Sequence, residues 1–211
     1  MIKIVMISAK QGGGKTALAN ELIRAFKTAQ FDFAGVYKFA GPLYALHDTV
    51  LNKMETLTGI PRVEKDGDLL QVLGTEWGHI KYGDDIWASI LKKEINKLSP
   101  AYYREGGKTS PTRRLIIIDD CRFANEFNIF PEAYRVRLEA PEDVRKVRAT
   151  SWRENVNHPS EVGLDEYAAE GRFDLRVWTD PSDINYVPVG GIASLIYAEL
   201  QRNNWREGRG F

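Results

Sequence analysis

A run of residues near the N-terminus has the types and the spacing that bind a polyphosphate. It reads Ala9-Lys10-Gln11-Gly12-Gly13-Gly14-Lys15-Thr16. Consecutive glycines let backbone N–H groups approach a phosphate without a clash from side chains. The helix predicted to begin near Lys15 would point its positive end at the same place. The run therefore matches the P-loop motif, with Ala9 in place of the first glycine.

The motif predicts a role for each of its last residues. Lys15 is expected to contact the β- and γ-phosphates of ATP, and to be catalytic because it neutralises charge during phosphoryl transfer. The Thr16 hydroxyl is expected to complete the coordination of Mg²⁺, which prefers oxygen ligands. The backbone of Gln11–Gly14 would hold the same phosphates. The cofactors predicted from this run are ATP and Mg²⁺.

The elements around the loop have the order that a parallel sheet requires. Met1–Ile7 is a predicted buried strand, and Ala17–Ala29 has the apolar spacing of a helix. Apolar strands then alternate with helical segments, which is typical of an α/β sheet covered on both faces. The other predicted strands are Phe33–Phe39, Leu115–Asp119, Tyr134–Leu138 and Leu175–Thr179, and the last predicted helix is Gly190–Trp205.

The chain between the second and third predicted strands is too long for a simple crossover. It spans about 75 residues, whereas most connections are several-fold shorter. Apolar spacing predicts helices over 43–57, 69–80 and 86–98, so we expect an inserted lobe. Residues 102–114 contain Gly106-Gly107 and several charges, and they predict an exposed, mobile loop.

Composition excludes several classes of protein. Lys and Arg total 29 and Asp and Glu total 29, so no basic field for nucleic acid or an anionic membrane is expected. The single cysteine, Cys121, excludes an internal disulfide and a cysteine-rich zinc site, which favours a cytoplasmic location. No run approaches the roughly 20 apolar residues of a membrane span. A GTPase is not favoured either, because the nearest base-reading match, Asn52-Lys53-Met54-Glu55, ends in Glu.

A second motif follows the predicted strand at Leu115. The run Asp120-Cys121-Arg122-Phe123-Ala124-Asn125-Glu126 resembles the D-x-R-F-x-N-E segment of bacteriophage deoxynucleoside monophosphate kinases. Other segments resemble that family in the same order along the chain. They are Phe39–Leu43 (F-A-x-P-L), Leu70–Gly78 (L-Q-x-x-G-T-E-x-G), Asp85–Trp87 (D-x-W), and His158–Glu161 with Leu164-Asp165 (H-x-S-E-x-x-L-D).

The resemblance implies a fold and an activity. The fold would be the three-layer α/β P-loop NTPase fold of nucleoside monophosphate kinases, with a five-stranded parallel sheet. We expect one domain over 1–211: a core of 1–39, 112–140 and 174–205, an acceptor-binding insertion at about 40–111 and a lid at about 141–173. The enzyme would transfer the γ-phosphoryl of ATP to a deoxynucleoside monophosphate, giving ADP and a diphosphate for DNA synthesis. Its partners would be these small molecules, in the host cytoplasm if a phage encodes it.

The resemblance also implies roles for particular residues. Asp120 would orient Mg²⁺, with Asp119 as its rival, and Arg122 would bind the acceptor phosphate as a catalytic residue. Arg145 and Arg148 would bind the donor triphosphate from the lid, Arg148 as a catalytic residue. The expected acceptor-binding residues are Lys38, Gln71, Glu76, Trp87, Arg122, Glu126 and Arg153.

Several alternatives stay open at this stage. Arg122 and Glu126 have the spacing of a surface ion pair on a helix. Trp87 has the periodic position of a core residue, and Arg145 and Arg148 that of a solvated helix face. His79 stands where the family often has Arg, so Lys65 or Lys81 would have to replace that contact.

The function has alternatives too. The sequence also allows a kinase of the same fold that acts on another phosphorylated metabolite. An ATP-dependent switch module is a further alternative. The accepted bases, the use of ribonucleotides and the oligomeric state, a homodimer included, are left open.

Overall fold

The apolar runs of the sequence form a parallel β-sheet with the P-loop at its centre. The computed structural model describes residues 2–27, 33–98, 102–105, 108–111, 114–149, 152, 154 and 158–202 of the 211. Within these residues, five strands pair in the order β2-β5-β1-β6-β7, all parallel. The strands are β1 (Ile2–Ser8), β2 (Phe33–Tyr37), β3 (Tyr102–Glu105), β4 (Lys108–Pro111), β5 (Arg114–Ile118), β6 (Tyr134–Glu139) and β7 (Leu175–Trp178).

The helices of the described residues include the five that the sequence predicted, with bounds that shift by a few residues. They are α1 (Lys15–Lys27), α2 (Gly41–Thr58), α3 (Gly67–Gln71), a π-helix (Val72–His79), α4 (Ile80–Tyr82), α5 (Ile86–Lys97), α6 (Ala124–Ile129), α7 (Glu142–Arg148), α8 (Pro159–Val162), α9 (Asp165–Ala169) and α10 (Val189–Arg202). The predicted last helix ends at Trp205, which lies outside the described residues.

Strand β1 lies between β5 and β6, so its carboxyl end is the point where the sheet order reverses. Ligands of open α/β sheets bind outside the carboxyl ends of the strands at such a point. The residues that follow β1 are the P-loop, and those that follow β5 are Asp119 to Glu126. The sheet thus brings the two sequence motifs to the same edge.

One face of the sheet packs against α1 and α10 and forms the main core. Leu18, Leu22 and Phe26 of α1 are fully buried, as are Ile192 and Ile196 of α10. Large apolar side chains at helical spacing lie on one face of a helix, and packing that face against the sheet removes them from water. Burial of each such side chain contributes about 1.5–3 kcal/mol to the stability of the fold. This packing holds the start of α1 under the carboxyl end of β1.

Residues Lys38–Leu98 form a compact unit of their own, separate from the unit of Met1–Tyr37 and Ser99–Phe211. Its middle helix contains a π-helical stretch, which the apolar periodicity did not predict. A Cβ on Gly78 would lie 2.6 Å from Cζ2 of Trp87, and one on Gly74 would lie 3.0 Å from Leu43. The two glycines therefore let Leu43 and Trp87 pack against the backbone of the widened helix.

The prediction of a mobile loop over 102–114 was wrong for the part that the structure describes. Strands β3 and β4 pair antiparallel, with Tyr103 opposite Ser110. The sequence between them, Gly106-Gly107, is one of the dipeptides that favour a two-residue hairpin connection. This hairpin groups with the sheet, and the separate unit ends at Leu98. The expected end of the acceptor-binding insertion at about 111 stays a prediction.

No helix among the described ranges combines the length and the apolar character needed to cross a membrane.

Candidate phosphate-binding site

The P-loop adopts the backbone conformation that its glycines allow. Gly12 has φ +73° and Gly14 has φ +92°, values that side chains rarely tolerate. The N–H of Gly13 donates to the Lys10 carbonyl at 3.0 Å and closes the turn. A Cβ on Gly13 would lie 2.7 Å from Cβ of Ala9. The missing side chain at Gly13 therefore makes room for Ala9, where the motif normally has glycine.

Lys15 opens α1, and its ammonium lies back against the loop. Its Nζ donates to the carbonyls of Ala9 at 2.6 Å and Lys10 at 3.4 Å. Burial, reinforced by the nearby guanidinium of Arg122, lowers the pKa of Lys15 to about 8, while the carboxylates of Glu161 and Asp119 act in the opposite direction. Lys15 and Arg122 are thus close enough for one cation to affect the other.

The side chain of Arg145 forms hydrogen bonds with the backbone of the P-loop and of the segment before α7. Its guanidinium donates to the carbonyl of Gln11 at 3.0 Å and to that of Ala140 at 3.1 Å. A Cβ on Gly12 would lie 2.2 Å from the Arg145 carbonyl oxygen, so the loop packs directly on the backbone of α7. The structure thus gives Arg145 a buried role in shaping the loop, which differs from the solvated helix face that its sequence position also allowed.

Two carboxylates from the segment 158–165 also hold the loop. The N–H of Gln11 donates to Oε2 of Glu161 at 2.7 Å. Lys10 forms an ion pair with Asp165 at 2.6 Å, and Arg137 forms another with the same carboxylate at 2.6 Å. Part of the expected lid region is therefore bound to the P-loop itself.

The H-P-S-E run forms the short helix that carries Glu161. His158 caps α8, because its Nδ1 accepts from the N–H of Ser160 at 3.2 Å. A Cβ on Gly163 would lie 2.8 Å from the carbonyl oxygen of Arg122, so this end of the helix touches the D-x-R-F segment. That close approach brings Glu161 beside Arg122.

Glu126 holds the backbone of the D-x-R-F segment. Its Oε2 accepts from the N–H of Arg122 at 2.7 Å and from that of Phe123 at 3.1 Å. The guanidinium of Arg122 lies instead beside Glu161, with Nη1 and Oε1 3.6 Å apart. Glu126 thus contacts the backbone of Arg122 and not its side chain, which differs from the ion pair that the spacing also allowed. Acceptor binding by Glu126 stays a prediction.

Burial raises the pKa of Glu126 to about 7, with Asp120 adding to the shift, while the two backbone N–H bonds oppose it. A raised carboxyl pKa favours the folded state most below the unfolded pKa near 4.5, and this contribution is lost as the pH rises through 7. We expect Glu126→Gln to flatten the pH dependence of unfolding between pH 5 and 8 by about 2 kcal/mol. Urea unfolding at several pH values measures this; parallel curves for variant and wild type would contradict it.

The two aspartates after β5 change the pKa values of different neighbours. Asp119 is buried and raises the pKa of Lys15. Asp120 instead raises the pKa values of Glu126 and Cys121. Asp119 is therefore the one whose charge reaches the P-loop lysine, although the family resemblance pointed to Asp120.

The two remaining arginines of the expected lid have different outcomes. Arg148 donates to Oγ1 of Thr179 at 3.0 Å and to the Thr179 carbonyl, which ties α7 to the segment after β7. Arg153 lies outside the described residues. Donor binding by Arg148 and acceptor binding by Arg153 stay predictions.

The other predicted acceptor residues belong to the separate unit 38–98. Lys38, Gln71 and Glu76 are exposed there. Trp87 is half-buried, and its indole N–H donates to the Gly74 carbonyl at 3.2 Å. This contact, with its packing on Gly78, gives Trp87 the structural place that its periodic position also allowed.

Three residues of the site were not predicted as such: Glu161, Asp165 and Arg137. The first two lie in segments that resemble the phage family, but nothing in the sequence indicated that they contact the P-loop. Arg137 lies in an apolar strand, is 3% exposed, and donates to Ser8 Oγ at 3.0 Å. A charged residue inside a buried strand is the signal that would have found it.

The donor set fits a magnesium ion that arrives with the nucleotide. Among the described residues, no group of three or more His, Cys, Asp or Glu could hold a metal ion. A hydroxyl at Thr16 and a carboxylate at Asp119 or Asp120 are oxygen ligands of the kind Mg²⁺ prefers, and phosphate oxygens and water would supply the others. The site therefore fits Mg²⁺ only together with a polyphosphate.

Several solved structures are similar to this chain over most of its length. Protein TT1252 from Thermus thermophilus aligns with 16% identity over 94% of this chain and 97% of its own, with a TM-score of 0.50. Shikimate kinase from Acinetobacter baumannii, solved with shikimate, has 12% identity over 98% and 97%, with a TM-score of 0.46. Shikimate kinase from Aquifex aeolicus has 12% identity over 95% and 98%, with a TM-score of 0.46. Neither the family models nor the curated proteins contain a match.

Identities this low bear on the fold alone. The strand order, the P-loop before α1 and the flanking helices give this chain the P-loop NTPase fold, as the sequence predicted.

Proposed function

We propose that this chain is an ATP- and Mg²⁺-dependent kinase that phosphorylates a deoxynucleoside monophosphate. One observation carries the proposal: the carboxylate of Glu161 contacts both the N–H of Gln11 in the P-loop and the guanidinium of Arg122, so Arg122 lies beside the loop that Lys15 closes. Phosphoryl transfer between two phosphates needs one cation for the donor and another for the acceptor, close together. The pair Lys15 and Arg122 meets that requirement on the carboxyl side of the sheet.

The donor side would use the residues of the P-loop. Its backbone N–H groups and Lys15 would bind the β- and γ-phosphates, and Thr16 would contact Mg²⁺. We assign the acidic role to Asp119 rather than Asp120, because the charge of Asp119 acts on Lys15. When bound, Mg²⁺ would neutralise charge on the transferred phosphoryl group.

The acceptor side would use Arg122, whose planar guanidinium can bind a phosphate through two parallel hydrogen bonds. The resemblance to the phage kinases supports a deoxynucleotide, and it assigns base recognition to exposed polar groups of the unit 38–98, such as Gln71 and Glu76. Trp87 is a weaker candidate for stacking, since its N–H is already bound to Gly74.

An acceptor screen tests this proposal. ADP release from MgATP would be measured with dAMP, dCMP, dGMP and dTMP, with the four ribonucleotides, and without acceptor. We expect acceleration of at least about a hundredfold by one or more deoxynucleotides over the control without acceptor. Turnover indifferent to every acceptor would favour an ATP-dependent switch, and no turnover at all would favour another phosphorylated metabolite as substrate.

A further inference from the structure

We propose that Glu161 is a positioning residue that ties the donor side of the site to its acceptor side. Its two oxygens bind different parts of the site: Oε2 accepts from the N–H of Gln11 at 2.7 Å, and Oε1 lies 3.6 Å from Nη1 of Arg122. Gln11 belongs to the loop that would hold ATP, and Arg122 is the proposed ligand of the acceptor phosphate. The inference rests on the proposed function for the role of Arg122.

Burial of the Glu161 carboxylate is unfavourable unless its oxygens have hydrogen-bonding or charged partners. It is 7% exposed, and removing an ionised carboxylate from water costs several kcal/mol unless its oxygens find partners. A backbone N–H and a guanidinium provide these partners. The helix that carries Glu161 is itself fixed by the His158 cap and by the close contact at Gly163. The carboxylate is therefore held in place from its own side as well.

An effect on catalysis follows from this arrangement. Glu161 orients the Arg122 guanidinium relative to the loop, and a misplacement of about 1 Å can cost 10²-fold in rate. The same carboxylate would thus hold the backbone of the loop and the ligand of the acceptor phosphate in one geometry.

Two variants test this role. Glu161→Gln keeps the size but removes the charge that pairs with Arg122, so we expect kcat to fall about 10- to 100-fold. Glu161→Asp keeps the charge but is one methylene too short to reach both partners, and it should lower kcat similarly. Each loss should shrink to about threefold or less when Arg122 is already alanine, because no guanidinium is left to orient.

Glu142→Gln is the matched control. Glu142 pairs with Lys146 on the exposed side of α7, 2.8 Å away, so its substitution should leave kcat unchanged with or without Arg122. Wild-type kcat in a folded Glu161 variant, or an equal loss of kcat with and without Arg122, would overturn the proposal. Thermal unfolding of each variant shows which of them are folded, and either folded variant decides the question.

A measurement without acceptor separates this inference from the proposed function. The ¹H–¹⁵N signals of the Gln11 amide and of the Arg122 guanidinium in the nucleotide-free protein should both shift in Glu161→Asp and stay in place in Glu142→Gln. If both shifts occur while no monophosphate is phosphorylated by the wild type, the proposed substrate is wrong and the positioning role of Glu161 stands. If phosphorylation occurs and the two signals do not shift, the inference is wrong and the proposed function stands.

Discussion

Replacing Lys15 with alanine is expected to lower kcat at least about a thousandfold while the protein stays folded. Lys15 is the P-loop cation that would offset negative charge on the transferred phosphoryl group, and preorganised groups of this kind supply several kcal/mol of transition-state stabilisation. The measurement is ADP release from MgATP with the best acceptor of the screen. Lys146→Ala is the control, because this exposed lysine pairs with Glu142 and Glu154, away from the P-loop, and its loss should leave kcat unchanged.

The effect of the Lys15 charge on the stability of the protein can be tested without nucleotide. Because the pKa of Lys15 is about 8 in the folded protein against 10.5 unfolded, its charged form opposes folding below pH 8, and this cost disappears as the pH rises past 10. Lys15→Met, which keeps the aliphatic stem, should therefore be at least as stable as the wild type at pH 7. Activity above about a tenth of the wild type in either variant would remove the P-loop from the proposed chemistry.

The fold could be predicted from the sequence because its signals are local. The strand β1 is a short run of apolar residues, the loop has consecutive glycines, and α1 repeats its apolar residues at helical spacing. Each of these patterns is complete within about 15 residues, which is the range over which periodicity is informative. Their order along the chain then leaves few topologies for a parallel sheet.

The contacts around the loop could not be predicted in the same way. Glu161 binds the N–H of a residue 150 positions earlier in the chain, and Arg145 binds a carbonyl 134 positions earlier. No local pattern encodes such pairs, since they depend on how α7 and α8 pack beside β1. Sequence reasoning therefore did not predict that the guanidinium of Arg145 lies against the backbone of the P-loop. Donor binding by Arg145 stays a prediction.

The sequence could not decide between Asp119 and Asp120 for the acidic role, for a related reason. Both residues follow the last apolar position of β5, and the family motif favoured the second. Successive side chains of an extended chain point to opposite sides, so neighbouring aspartates face different partners. Asp119 acts on Lys15 and Asp120 on Glu126, a difference that needs the packed structure.

Arg122→Ala is expected to lower kcat/KM for the acceptor by about 10²- to 10³-fold, while the Kd of ATP changes by less than about threefold. The proposed contact joins the guanidinium to the acceptor phosphate, so its loss removes a charge-assisted pair of hydrogen bonds from one substrate only. Steady-state kinetics with each substrate varied in turn, together with calorimetry of ATP binding, measures both quantities. Arg122→Lys should be intermediate, because lysine keeps the charge but not the planar fork.

The pH profile of Arg122→Ala provides an independent check with a defined sign. Arg122 lowers the pKa of Lys15, so its removal should move the alkaline limb of kcat/KM to higher pH, opposite to the shift expected for Glu161→Gln. Two substitutions at residues 3.6 Å apart would then displace the same titration in opposite directions. A lower affinity for ATP with unchanged use of the acceptor would place Arg122 on the donor side, and equal shifts in both variants would show that the limb does not report Lys15.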